Sequence, residues 1–126
     1  MSKFGLPYKG SKSFLAERIV KLLPKASTLY EPFAGGCAIT HCAIKNKKYN
    51  NYVLNDLCKA PQVFKDAYDG KKFSIDWISH ERFDALKKED FFVSLIWSFG
   101  CDCASYMYSR KIEPYKKSLP LRRCFW

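Results

Sequence analysis

A glycine turn between a strand and a helix constrains the fold of this chain more than any other feature. Thr28-Leu29-Tyr30 is a strand candidate that ends at Pro32 and the pair Gly35-Gly36. The next segment, Ala38–Lys45, has the pattern of a helix. Glycines there let the backbone approach a ligand closely, and the helix N-terminus offers free N–H groups. Taken alone, the same glycines could equally serve only the geometry of a tight turn.

Strand and helix patterns alternate through the first seventy residues. Tyr52-Val53-Leu54 is a second strand, and residues 57–68 form a helix that stops at Gly70. Residues 13–23 form an earlier helix, which Ser11 or Ser13 can cap and Pro24 ends. Alternating strands and helices are typical of a parallel sheet with crossover helices, so we predict an α/β fold.

The rest of the chain has fewer regular patterns. Ser79 can cap a helix that runs to Lys88, and Asp90 begins an apolar run, Phe91–Phe99, that Gly100 ends. At helical spacing Phe91, Leu95 and Phe99 share one face, which we expect to fill a core. Beyond Gly100 the residues are small, aromatic and basic without periodicity, which predicts a loop.

An acidic residue follows the second strand. In doubly wound sheets an acidic side chain at the end of this strand accepts hydrogen bonds from ribose hydroxyls, and Asp56 lies at about the usual distance after the glycine turn. Alternatively Asp56 caps the next helix, although its neighbour Asn55 could also do so.

The charge of the chain favours a polyanionic partner. Twenty-two Lys and Arg against twelve Asp and Glu give a formal net charge of +10, which attracts nucleic acid over a long range. The densest basic group lies near the end of the chain: Arg110, Lys111, Lys116, Lys117, Arg122 and Arg123. A basic solvated surface without a nucleic-acid partner is the alternative.

Other classes of protein are disfavoured. No stretch approaches the roughly 20 apolar residues of a transmembrane helix, and the N-terminus lacks the pattern of a secretory signal, so we expect a cytoplasmic protein that does not bind a membrane. The six cysteines, with spacings such as Cys101-x-Cys103, do not match metal-ligand patterns. We therefore expect reduced thiols and no metal.

Three motifs together resemble the Dam-type DNA adenine-N6 methyltransferases (D12 class, α group). They are Pro7–Lys12, the turn from Glu31 to Gly36, and Asn55-Asp56. The resemblance implies a partial doubly wound (Rossmann-like) sheet in residues 1–70 that binds S-adenosylmethionine. The cofactor-binding residues implied by it are Tyr8, Lys12, Glu31, Pro32, Phe33, Gly35, Gly36 and Asp56.

The resemblance extends to the start of the family's helical target-recognition region. Leu95–Gly100 and Tyr106–Arg110 are similar to the helix and loop that meet duplex DNA in the family. We therefore expect residues 71–126 to begin a DNA-binding region, with contacts from Ser98, Tyr106, Tyr108, Arg110 and Lys111. The settings implied are restriction-modification and genome marking in bacteria or phages.

The catalytic motif of the family has no match in this sequence. Family members carry Asp-Pro-Pro-Tyr or a close relative, which holds the flipped adenine, whereas Glu113-Pro114-Tyr115 lacks the second proline. The tail from Leu119 to Trp126 is expected to be a truncated or frameshifted end, with no catalytic residues in the chain. The alternatives are a non-catalytic remnant that binds cofactor or DNA, and a fragment that is stable only when a partner chain supplies the missing strands.

Overall fold

The computed structural model describes residues 3–116, which form two compact units. The first unit ends at Gly70 and the second begins at Lys71. The basic residues Lys117, Arg122 and Arg123, the thiol of Cys124 and the tail from Leu119 lie outside the described residues.

The first unit alternates helices and strands as predicted. Its elements are α1 (Ala16–Leu22), β1 (Thr28–Glu31), α2 (Ala38–Lys45), β2 (Asn51–Leu54) and α3 (Ala60–Tyr68). The α/β prediction is therefore confirmed, and the bounds of α2 agree with the sequence pattern. The sheet that the structure describes has two strands, β1 and β2, so the larger doubly wound sheet stays a prediction.

The two strands are parallel and paired in register. Thr28 is opposite Asn51, and Glu31 at the end of β1 is opposite Leu54 at the end of β2. Parallel pairing places the carboxyl ends of both strands at one edge, where the loops after them can share a site. The opposite pair Tyr30 and Val53 is largely solvent-exposed, at 70% and 47%.

The core of the first unit lies between α1, α2 and the sheet. Its buried residues are Phe4, Ala16, Val20, Ala38, Cys42, Ala43 and Tyr49. Burial of apolar surface stabilises the folded state by about 25 cal/mol for each Å² removed from water. This cluster therefore holds the two helices together. Because Phe4 belongs to this cluster, the chain before α1 is held against α2.

Neither serine expected to cap α1 does so. Helix α1 begins after Leu15, and no side chain caps it. The Ser13 hydroxyl accepts a hydrogen bond from the N–H of Phe4 (2.9 Å), and the Ser11 hydroxyl accepts one from the N–H of Ser13 (3.2 Å). The serines thus stabilise the segment before the helix, because the helix starts later than the apolar pattern suggested.

The second unit is mainly helical. Its elements are α4 (His80–Leu86), α5 (Phe91–Ile96), a 3-10 helix (Phe99–Cys101) and α6 (Glu113–Lys116). The predicted Ser79 cap is confirmed, since its hydroxyl accepts a hydrogen bond from the N–H of Arg82. Asp90 caps α5 by accepting a hydrogen bond from the N–H of Val93, a role that the sequence pattern had not assigned to it. Both caps satisfy backbone donors that the first turn leaves open.

The prediction that Phe99 fills the core is wrong. Leu95 is buried and Phe91 is half-buried, but the Phe99 side chain is 71% exposed. Helix α5 ends at Ile96, and Ser98 has an extended backbone (φ −94°, ψ 152°), so Phe99 no longer shares the face of Leu95. The region beyond Gly100, expected to be a loop, contains an antiparallel bridge between Ser98 and Tyr106 and the short helix α6.

Among residues 3–116 no helix is long and apolar enough to cross a bilayer. Within the same range there is no group of three or more His, Cys, Asp or Glu side chains placed to hold a metal ion. In the first unit, Cys37, Cys42 and Cys58 are free thiols.

Candidate functional site

The turn after β1 is held by the loop after β2. The N–H of Ala34 donates to the carbonyl of Asn55 (2.9 Å), and the N–H of Asn55 donates to the carbonyl of Glu31 (3.0 Å). Gly35 has φ +49°, in the left-handed region that glycine adopts without a side-chain clash. Cys37 follows at φ 60° and leads directly into α2. The chain therefore makes a sharp turn at the edge where both strands end.

The segment before α1 packs directly against this turn. The N–H of Leu6 donates to the carbonyl of Gly36 (2.7 Å), and the N–H of Gly5 donates to Nδ1 of His41 (2.9 Å). A Cβ on Gly36 would lie 2.7 Å from both the Leu6 carbonyl oxygen and the Cβ of Tyr8. The absence of a side chain at Gly36 thus allows the protein's own N-terminal segment to pack against the turn. The sequence had suggested only that the glycines allow a ligand to approach.

Asp56 joins the two loops through its carboxylate. Oδ2 accepts a hydrogen bond from the N–H of Gly35 (2.7 Å), and Oδ1 accepts one from the N–H of Cys58 (3.2 Å). These backbone donors, that of Gly35 first, hold the pKa of Asp56 below its ordinary value. Helix α3 begins only at Ala60, after Lys59, so Asp56 is not its N-cap residue. The side chain fixes the glycine turn and stays ionised beside it.

Glu31 lies at the end of β1 and faces the first turn of α2. Its Oε2 accepts hydrogen bonds from the N–H (3.2 Å) and the hydroxyl (2.6 Å) of Thr40. Burial raises the pKa of Glu31 above its ordinary value, against the opposing effect of the Thr40 donors. A cation beside this carboxylate would favour its charged form.

These residues border a cleft of about 250 Å³ at the carboxyl edge of the strands. Of the residues expected to bind the cofactor, the structure places seven at the cleft: Tyr8, Lys12, Glu31, Phe33, Gly35, Gly36 and Asp56. Pro32 does not line it, and its carbonyl accepts a hydrogen bond from the side chain of Asn55 (3.1 Å). The expectation that Pro32 lines the cofactor site therefore stays a prediction that the cleft does not support.

Sequence reasoning missed several lining residues. They are Gly10, Ser11, Ala34, Ala38 and Ile39. Gly10 and Ser11 lie inside the Pro7–Lys12 motif, so the motif itself could have indicated them. Ala34 likewise lies inside the Glu31–Gly36 motif. Ala38 and Ile39 are apolar and carry no chemical signal, and only the turn into α2 brings them to the cleft.

The side chains at the cleft fit the parts of S-adenosylmethionine. The ionised Asp56 and the half-buried Glu31 are acceptors for hydroxyl and ammonium groups. Lys12 is exposed, donates to the Gly10 carbonyl (2.8 Å) and offers a cation for a carboxylate. Phe33, 88% exposed, offers an aromatic surface for a planar base. The chemistry of the lining thus suits each polar and apolar portion of the cofactor.

A larger cavity of about 420 Å³ lies elsewhere in the first unit. It is bordered by α2, β2 and α3, including Ile44, Tyr52 and Tyr68. None of the residues that the sequence motifs indicated lines this cavity. In a ligand titration, this cavity therefore serves as the alternative site with which binding at the cleft is compared.

Two residues expected to contact DNA are buried in the second unit. The Ser98 hydroxyl donates to the Leu95 carbonyl (3.2 Å) and accepts from the N–H of Cys103 (2.9 Å). The Tyr106 hydroxyl donates to the carbonyl of Ile78 (2.6 Å), and burial raises the pKa of Tyr106 to about 12. Neither side chain is accessible to a DNA surface here, because both serve the core of the unit.

The other three expected DNA-binding residues are more accessible. Tyr108 is half-buried, with its ring edge-on to Tyr106 at 6.0 Å between centroids, whereas Arg110 and Lys111 are exposed. All three lie in the loop that leads to α6. The structure therefore places an aromatic ring and two cations together on an exposed loop of the second unit.

The comparison with known families agrees with the motifs. The sequence model of the D12 class N6 adenine-specific DNA methyltransferases matches residues 8–111. No curated protein and no solved structure matches the chain. Because the family match covers more than half of the chain and includes the glycine turn, Asp56 and the Arg110 loop, the chain belongs to the D12 class of N6 adenine-specific DNA methyltransferases.

Proposed function

We propose that the first unit binds S-adenosylmethionine in the cleft between the glycine turn and Asp56. The unit would then be the cofactor half of a doubly wound α/β methyltransferase that modifies N6 of adenine in duplex DNA, in restriction-modification or genome marking. The observation that carries the proposal is the convergence of seven motif residues, from three separate segments, on one cleft at the carboxyl edge of the strands.

Asp56 is the proposed ribose-binding residue. An ionised carboxylate has about four lone-pair directions, and the N–H groups of Gly35 and Cys58 occupy two of them. The Cys58 thiol and the N–H of Leu57 contribute weaker hydrogen bonds, and the remaining acceptor capacity suits the hydroxyls of a ribose. Because the same carboxylate fixes the glycine turn, the acceptor is already oriented before a ligand binds, which lowers the entropic cost of binding.

Glu31 and Lys12 are proposed to hold the methionine portion of the cofactor. Burial raises the pKa of Glu31. An ammonium group would therefore interact more strongly with this partly buried carboxylate than with an exposed one. Lys12 would pair with the cofactor's carboxylate, and Phe33 would pack on its adenine ring. The bound cofactor supplies a sulfonium-activated methyl group, while these side chains supply only binding and orientation.

The exposed loop of the second unit is the proposed DNA contact. Arg110 and Lys111 would pair with phosphates and Tyr108 would pack against sugar or base, in keeping with the net charge of +10. Ser98 and Tyr106 would support the loop from the core and would not touch DNA.

The second candidate function is binding of cofactor and DNA without turnover. The 126 residues contain no Asp-Pro-Pro-Tyr motif, which in the family orients the adenine amino group. We therefore assign cofactor and DNA binding to this chain by itself, and methyl transfer to a protein that also contains that motif.

Calorimetric titration with S-adenosylhomocysteine tests the proposal. Loss of hydrogen bonds to a charged group costs about 1.5–3 kcal/mol, so Asp56→Ala should weaken binding about tenfold or more. The matched control is Asp69→Ala, because Asp69 is an exposed acid of the same unit that pairs with Lys65 and does not line the cleft. Equal affinity of Asp56→Ala and the parent chain would remove Asp56 from the site.

A further inference from the structure

Cys58 is tied to two cleft residues, although neither the motifs nor the cleft lining include it. Its Sγ lies 3.4 Å from the hydroxyl oxygen of Tyr8, within hydrogen-bonding distance for sulfur. Its backbone N–H donates to Oδ1 of Asp56 (3.2 Å). The residue therefore links the segment before α1 to the loop after β2, across fifty positions of the chain.

The Tyr8 ring is confined on its other side by the glycine turn. A Cβ on Gly35 would lie 3.2 Å from Cε1 of Tyr8, and a Cβ on Gly36 would lie 2.7 Å from its Cβ. The ring thus lies against the bare backbone of the turn, with its hydroxyl end at the Cys58 thiol. Since Tyr8 lines the cleft, its orientation determines the shape of one wall.

Cys58 differs from the other described thiols of the first unit. Cys37 and Cys42 are buried, and burial raises the pKa of Cys37 to about 12. The Cys37 thiol donates to the Gly35 carbonyl at 3.7 Å, under the turn. Cys58 is half-buried and reaches a cleft residue with its side chain. Of these three thiols, Cys58 has the contact that orients a wall of the cleft.

We propose that Cys58 is a positioning residue of the cofactor site, whose thiol holds the Tyr8 ring against the glycine turn in the orientation that receives the cofactor. This inference rests on the proposed function of the cleft and adds to it a residue that acts through Tyr8. In Cys58→Ser the hydroxyl can still donate or accept a hydrogen bond, whereas the methyl group of Cys58→Ala can do neither.

The test combines a structural readout with a binding readout. With tyrosine rings labelled with ¹³C, the Tyr8 resonance is identified by its loss in Tyr8→Phe and then followed in Cys58→Ala, Cys58→Ser and Cys101→Ala. Cys101 is the control, because it is a half-buried thiol of the second unit. Titration of the same variants and of Tyr8→Phe/Cys58→Ala with S-adenosylhomocysteine gives the affinities. Circular dichroism shows that each variant is folded.

We expect the Tyr8 resonance to move in Cys58→Ala and to stay near its parent position in Cys58→Ser and Cys101→Ala. Affinity should fall on the order of two- to fivefold in Cys58→Ala, the range for a weak neutral hydrogen bond. In the double variant the two losses should be less than additive, because both single variants lose the same thiol–hydroxyl contact. The hydrogen bond from the Cys58 thiol to Asp56 is lost only in Cys58→Ala and accounts for any further loss.

An unmoved Tyr8 resonance in Cys58→Ala, or additive losses in the double variant, would refute the positioning role. Absence of binding by the parent chain would refute the proposed function of the cleft, and with it the role of Cys58 toward a cofactor. The Tyr8 resonance would separate the two failures, because it does not require a ligand.

Discussion

Replacing Gly36 by alanine tests whether the glycine turn exists to admit the N-terminal segment. The added Cβ would lie 2.7 Å from the Leu6 carbonyl oxygen and from Tyr8 Cβ, closer than real Cβ contacts. The Leu6 contact is backbone and cannot be relieved by a rotamer change. Overpacking of this kind costs about 1–3 kcal/mol, and loss of the hydrogen bond from Leu6 to Gly36 adds about 0.5–1.5 kcal/mol.

We therefore expect Gly36→Ala to lose about 1.5–4.5 kcal/mol of unfolding free energy and to displace Tyr8 from the cleft. Urea unfolding measures the first effect, and hydrogen exchange of the Leu6 amide, which donates to Gly36, measures the second. Gly100→Ala is the control, because Gly100 has φ +60° but open space around its Cβ position. It should cost only the left-handed strain of about 1–2 kcal/mol and leave the Leu6 amide protected. Equal protection of that amide in Gly36→Ala and the parent would refute the reasoning.

Three further predictions concern His41, the exposed loop and catalysis. Burial, and to a lesser extent the charge of Lys45, lowers the pKa of His41 below its ordinary value of 6.5. The neutral imidazole therefore contributes its full stabilisation above pH 6.5, and this stabilisation is lost as the pH falls through the folded-state pKa. The unfolding free energy from urea titration should depend less on pH in His41→Gln, and identical pH profiles would contradict this prediction. Arg110→Ala/Lys111→Ala should weaken duplex DNA binding and reduce its salt dependence by about two counterions, measured by fluorescence anisotropy against the exposed control Lys21→Ala; an unchanged salt slope would exclude this loop. The 126-residue chain by itself should transfer no tritiated methyl group to adenine in duplex DNA, because transfer requires an aligned base and these residues contain no Asp-Pro-Pro-Tyr motif. Label at N6 above a no-protein control would contradict this prediction.

Local patterns predicted the framework of the first unit well. The spacing of apolar residues in Ala38–Lys45 and the turn residues around it were sufficient for α2, and the order of strands and helices gave the parallel pair. The three motifs also indicated most of the cleft lining, because each lies at the edge where the parallel strands end.

Contacts between distant segments could not be read from those patterns. The approach of Leu6 and Tyr8 to Gly36, and of Cys58 to Tyr8, depends on how the segment before α1 folds back over the turn. In the second unit, periodicity placed Phe99 on a buried face, but the helix ends at Ile96 and the extended backbone of Ser98 turns the chain, which leaves Phe99 exposed. The family resemblance indicated Ser98 and Tyr106 as DNA contacts, whereas the hydroxyl of each donates to a backbone carbonyl within the second unit.

The location of bound nucleoside tests the central claim most directly. ¹⁵N chemical-shift mapping during titration with S-adenosylhomocysteine can distinguish the cleft from the larger cavity of the same unit, since the two have different linings. Our account predicts saturable shifts centred on Gly35, Gly36 and Asp56. Shifts centred instead on Ile44 and Tyr68, or no shifts at all, would contradict it.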